Sequence, residues 1–209
     1  VCKTLKEKVV IVPVFVESEY THVWSEYDIQ STLDSIDRAK TWIVNQAFKR
    51  NKTLSIEVAY LKMDSITPVK EEFQFKTLSG TLFKYLNLSK GIKMVDNWAD
   101  ASAKKYAKRL PPETSKEILS NNKLNDSERL IARMKDLYGT DNIVLMYFIN
   151  NYYENEISVV LHSGDTMHVE YGVVSAKSST VIAHEFLHVF GALDLYITPF
   201  DRRIIHRMK

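Results

Sequence analysis

The chain has 209 residues, 45% hydrophobic and 26% charged, with 28 basic against 26 acidic residues and a net charge of +2. That is ample for one well-cored domain, and the near balance of charge without a basic block leaves no electrostatic footprint for nucleic acid. Only 6 glycines and 5 prolines argue against disorder and collagen-like repeats, and no apolar run reaches the roughly 20 residues that span a membrane.

The chain opens VCKTLKEKVV, with neither Met nor an apolar leader, and reads as a trimmed or mature chain. Cys2, the one cysteine, excludes an internal disulfide and any thiolate metal site. It is read as a free thiol, with a lipid-modified anchor as the alternative. Residues 8–16, KVVIVPVFV, are β-branched and predict a buried strand, with Pro13 near an edge or bulge. From Asp28 to about Arg50, Ile29, Leu33, Ile36, Ile43 and Ala47 form a helical stripe. TLSIEVAYL, 53–61, is a second strand. A strand, a helix long enough to cross over and a strand predict a parallel pair.

Residues 64–92 give no clear periodicity. From Val95 the series Val95, Ala99, Ala103, Tyr106, Leu110 marks a helix stopped by Pro111-Pro112. A further helix runs from about Asp126 to Tyr138 with Gly139 as its C-terminal cap. NIVLMYFI, 142–149, is continuously apolar, as a strand buried on both faces must be. ISVVLHS (157–163) and MHVEYGVV (167–174) follow, joined by Gly164-Asp165. In the second, Val169, Tyr171 and Val173 alternate with His168 and Glu170, the pattern of a half-exposed edge strand. Ser178-Ser179 then cap a last helix, TVIAHEFLHVF, ended by Gly191. With no internal repeat or linker, residues 1–209 read as one α+β domain.

Chemistry concentrates in residues 184–196, HEFLHVFGALDLY. On a helix, His184 and His188 stand one turn apart on the same face, so both imidazoles can bind one Zn²⁺ at about 2.0–2.1 Å. Glu185, beside the first ligand, can take a proton from the metal-bound water and later deliver it to a leaving amine. Zinc brings the pKa of that water towards about 7 and polarises a scissile carbonyl. Gly191 can take the left-handed conformation that turns the chain back. Asp194, three residues on, can then reach the metal as third ligand. Asp201 and His206 are the other downstream donors, and no glutamate follows Glu185.

His184-Glu185-x-x-His188-x-x-Gly191-x-x-Asp194 resembles the extended signature of the metzincin clan of zinc endopeptidases. The aspartate followed by x-Tyr is similar to the snapalysin-like and immune-inhibitor-A-like bacterial peptidases. The resemblance covers thirteen residues. It implies a zincin-like fold, a twisted mixed sheet with an antiparallel edge strand, packed on helices that include the one bearing HExxH. It implies one catalytic zinc on His184, His188 and Asp194, with Glu185 as general base, and a secreted or cell-envelope setting. The clan also places a methionine turn beneath the metal. Met208 is the only methionine after the helix, in the context Ile-Ile-His-Arg-Met-Lys, which reads as a terminal helix. The turn is expected either at Met208 or, the favoured reading, beyond Lys209 in a chain truncated at its C-terminus.

The function expected is hydrolysis of peptide bonds in an extended polypeptide. Such a substrate would pair with an exposed sheet edge, for which Val169, Glu170, Tyr171 and Gly172 are the candidates. A phenol from Tyr171 or Tyr196 can serve as oxyanion stabiliser. The alternative is a catalytically inactive zinc-binding interaction domain of peptidase descent, against which the intact Glu185 speaks.

Overall fold

The computed structural model describes residues 5–59, 66–72, 78–83, 88–111, 124–151, 157–161 and 169–194. One mixed sheet carries the fold, and helices cover both of its faces. Its strands are β1 (Glu7–Glu17), β2 (Leu54–Val58), β3 (Val69–Lys70), β4 (Asn142–Ile149), β5 (Val159–Leu161) and β6 (Tyr171–Val174). The helices are α1 (Glu26–Phe48), α2 (Leu78–Phe83), α3 (Leu88–Ala107), α4 (Asp126–Tyr138) and α5 (Ser179–Val189).

The spatial order is β2-β1-β4-β6-β5, with β3 also pairing β1. Strands β1, β2, β3, β4 and β6 pair in parallel, and β5, alone among the described strands, runs antiparallel, against β6. The parallel β1–β2 pair with α1 between them in sequence is the crossover that the apolar spacing predicts.

Alternation along the central strands sorts the core into two layers. Val10, Val12, Val14 and Val16 of β1, with Leu145, Tyr147 and Ile149 of β4, pack against Leu82, Trp98, Ala99, Tyr106, Leu130 and Met134 of α2, α3 and α4. Val9, Ile11 and Phe15, with Val144, Met146 and Phe148, pack against Leu33, Ile36 and Ile43 of α1 and Ile182, Phe186 and Val189 of α5. Because both faces are covered, β4 reads as an unbroken apolar run and is buried from Ile143 onward. Phe186 is completely buried, so Phe186→Ala would cost about 3–5 kcal/mol.

Two expectations need correction. The strand ending at Val174 is not an edge: β6 lies between β4 and β5, with Tyr171 opposite both Leu145 and Leu161, and Gly172 opposite both Met146 and Val160. All four of its residues are buried. The polar residue that suggested exposure, Glu170, precedes the strand, and His168 lies outside the described residues. The antiparallel edge strand is β5. Pro13, for its part, sits in a central strand, opposite Met146. The carbonyl of Ile11 accepts from Ala59, so odd-numbered residues of β1 direct their main-chain polar groups towards β2. Pairing with β2 stops at Ile11 and pairing with β3 starts at Val16. Among the described residues, the missing N–H of Pro13 therefore faces no ladder partner.

Helix α3 begins at Leu88, seven residues before the periodicity becomes readable. Gly91 lies on this first stretch, where an added Cβ would stand 2.2 Å from the carbonyl oxygen of Leu82. A glycine that weakens the helix locally is what lets α2 and α3 approach so closely. No described helix is long and apolar enough to cross a membrane.

Candidate metal centre

Helix α5 follows β6 directly and packs on the sheet through Ile182, Phe186 and Val189. Burial of these positions turns His184 and His188, one helical turn apart, towards the opposite side. Ser178 stands at the N-cap, but its hydroxyl pairs with Thr180 Oγ1 at 2.5 Å and makes no bond to the main chain of the helix. The helix entry is held instead by Lys177, whose ammonium pairs with Asp28 in the first turn of α1 and lies 5.8 Å from the centre of the Trp24 ring. Burial pushes the Asp28 carboxyl up, but hydrogen bonds from Lys177 and Ser25 outweigh it and hold the group at about 2.

The far end of α5 builds the centre. Phe190 and Gly191 end the helix, with Gly191 at φ 82°, a backbone state that side-chain-bearing residues rarely adopt. The chain then turns so that the Ala192 carbonyl lies 2.6 Å from His188 Nδ1 and Asp194 Oδ1 lies 3.1 Å from Nε2 of both histidines. The two Nε2 atoms are 2.9 Å apart, and the rings stand nearly perpendicular, at 85°. His184, His188 and Asp194 thus form a group that can hold a metal ion.

The donor chemistry fits a cation. A carbonyl oxygen only accepts, so His188 Nδ1 carries the hydrogen, and the neutral ring presents its Nε2 lone pair to the centre. With both rings neutral, one hydrogen on His184 Nε2 is all that three short contacts share. At least one therefore sets lone pair against lone pair. A single cation relieves all three.

Glu185 is 5% exposed. Burial raises its carboxyl to about 7; the charge of His188 works against the rise and that of Asp194 adds to it. A carboxyl of that pKa exchanges protons readily near neutrality.

Of the residues expected at the site, His184, His188 and Asp194 come together, and Glu185, buried on the same helix, feels the charges of His188 and Asp194. Tyr171 does not join them. Its hydroxyl donates to Asp96 Oδ1 at 2.7 Å, and its ring packs in the α3 layer, across the sheet from α5. Desolvation and then the Asp96 carboxylate hold the phenol far above its ordinary value. Tyr171 and Gly172 have neighbouring strands on both sides, which removes them as a docking edge. Val169 and Glu170 precede β6 and are half-buried. Tyr196, Asp201, His206 and Met208 lie outside the described residues, as does Cys2. Sequence reasoning missed the Ala192 carbonyl and the Lys177–Asp28 pair; a main-chain acceptor and a pair 149 residues apart leave no local signal.

Comparison of the chain with protein-family models, with curated proteins and with solved structures finds no match.

Proposed function

We propose that the chain is a zinc-dependent endopeptidase. The observation that carries this reading is the convergence of His184, His188 and Asp194 within 3.1 Å of one another on and just after a helix whose next residue, Glu185, is a buried carboxyl held at about 7. Two imidazoles and a carboxylate without a thiolate make a catalytic rather than a structural zinc set, because three protein ligands leave room for substrate and water. When bound, zinc would supply Lewis acidity to a carbonyl oxygen and acidify water.

The chain's own residues supply the rest. His188 is oriented by its bond to Ala192, and the turn at Gly191 sets Asp194 opposite both rings. Glu185, ionised, takes a proton from the attacking water and in its protonated form returns it to the departing amine. A pKa near the working pH allows both roles. The extended substrate is best served by the outer edge of β5, which has β6 on one side only among the described residues. The likeness of residues 184–194 to the metzincin signature supports the same reaction class.

The test is metal content. His184→Ala, His188→Ala and Asp194→Ala should each lose stoichiometric zinc while the far-ultraviolet circular dichroism stays that of the wild type. Full zinc in the two histidine variants would remove the basis of the proposal.

A further inference from the structure

Helix α5 is held to the sheet by an apolar stripe, Ile182, Phe186 and Val189. Burial of this kind has no direction of its own, so the place of the helix along its axis needs contacts that do. At the far end such a contact joins His188 Nδ1 to the Ala192 carbonyl. At the entry, the Ser178 hydroxyl pairs with Thr180 and leaves the first turn without a side-chain cap. What stands there is Lys177.

The Lys177 ammonium pairs with Asp28 Oδ1 and lies 5.8 Å from the centre of the Trp24 ring. Both partners are themselves tied down. Trp24 Nε1 donates to the Val16 carbonyl in β1 at 2.9 Å. Asp28 Oδ2 accepts from the Ser25 hydroxyl at 2.6 Å and from the Ser25 N–H at 3.3 Å, part of the cap of α1. One carboxylate thus serves two helix starts: Oδ2 closes α1, and Oδ1 holds the residue that leads into α5. Such a charge-assisted bond, largely out of water, is stronger and more directional than a surface ion pair.

We infer that Lys177 is a positioning residue: through Asp28 it sets where α5 stands along α1, and so where Glu185 stands relative to β5. This rests on the peptidase reading above and adds to it a residue outside the HExxH segment. Helix α5 has 11 residues, so a shift at its entry is carried to His184 and Glu185, about two turns on. A displacement of about 1 Å at reacting groups can cost about 10²-fold in rate. Metal binding is spared, because His184, His188 and Asp194 all ride on α5 and the turn that ends it.

The test is kinetic. The zinc-loaded full chain is compared with Lys177→Met, Lys177→Gln and Lys177→Arg on an unfolded, casein-like protein, well below the melting temperature of each. Zinc and helix content are measured in every preparation. Leu130→Ala, which opens a cavity in the opposite layer of the core, reports what lost stability does by itself. The expected result for Lys177→Met is full zinc, KM within about twofold of the wild type and kcat lower by about tenfold or more. Lys177→Arg should recover most of that rate, and Asp28→Asn added to Lys177→Met should lower it no further. Wild-type kcat in folded Lys177→Met would overturn the inference, as would an equal fall in Leu130→Ala. If Lys177→Met does not fold, Lys177→Gln is judged by the same results. Loss of zinc in both would overturn the inference too, since the pair would then hold the site together and not aim it. A zinc-loaded wild type that cleaves nothing would instead overturn the peptidase reading, and the inference with it.

Discussion

His188 donates its Nδ1 hydrogen to the carbonyl of Ala192 across 2.6 Å, a bond between a helix residue and the turn that ends the helix. It joins ligand orientation to the course of the main chain, because the peptide that accepts it lies between Gly191 and the third ligand, Asp194. A neutral ring so held has one lone pair, and it faces the centre.

The turn at Gly191 is therefore expected to be felt at the metal. Gly191→Ala places a side chain on a backbone at φ 82°, which costs about 1–2 kcal/mol. Relief of that strain would shift Ala192 and Asp194 away from His188. Zinc affinity should fall by about tenfold or more, as for loss of an orienting partner, with the helix content unchanged. Titration of the apo-protein with zinc against a competing chelator measures it; wild-type affinity would separate the turn from the metal centre.

The Lys177–Asp28 pair should matter to stability. The two side chains are 11% and 17% exposed, and Lys177→Met leaves the Asp28 carboxylate largely desolvated, at a cost of about 2–3 kcal/mol. Urea denaturation at neutral pH reads this. The pH dependence has a defined sign. Asp28 is lowered from 3.8 to about 2 in the folded chain, so its contribution is complete above about 4 and is lost as pH falls through about 2. Lys177→Met should lose much of that acid sensitivity. Acid unfolding curves that superimpose for the two proteins would contradict it.

Glu185 has the opposite sign. Its carboxyl is raised from 4.5 to about 7, so between those values the folded apo-protein binds a proton that the unfolded chain has released. Stability should fall as pH rises from about 4.5 to 7, by about 3 kcal/mol at most. Glu185→Gln lacks this ionisation and should gain on the wild type over that range. Thermal melts of both apo-proteins at matched pH check it. A difference that does not grow with pH would mean that the carboxyl is not held up by burial.

Much of this arrangement was legible in residue order. The stripes of α1 and α4, the unbroken apolar run of β4 and the four-residue spacing of His184 and His188 are local signals, set by helix and strand periods. What the sequence left open is set by neighbours. Whether Tyr171 lies at an edge depends on which strand pairs beside it, and Val159–Leu161, not Tyr171–Val174, takes the outer place. The start of α3 was hidden because Gly91 answers to the Leu82 carbonyl and not to helix propensity. Asp194 was within reach of reasoning because only three residues separate it from the Gly191 turn. The Ala192 carbonyl that orients His188 has no side chain to announce it.

Catalysis by the proposed site depends on Glu185. The measurement that tests it most directly is hydrolysis of an unfolded, casein-like protein by the zinc-loaded wild type and by Glu185→Gln, with zinc determined in both preparations. The account predicts equal zinc and a rate lower by about 10²–10⁴-fold in the variant, since the amide keeps the shape of the carboxyl but cannot accept the proton. Equal rates at equal zinc would contradict it. So would a zinc-loaded wild type that cleaves nothing, which would leave a metal-binding domain without catalysis.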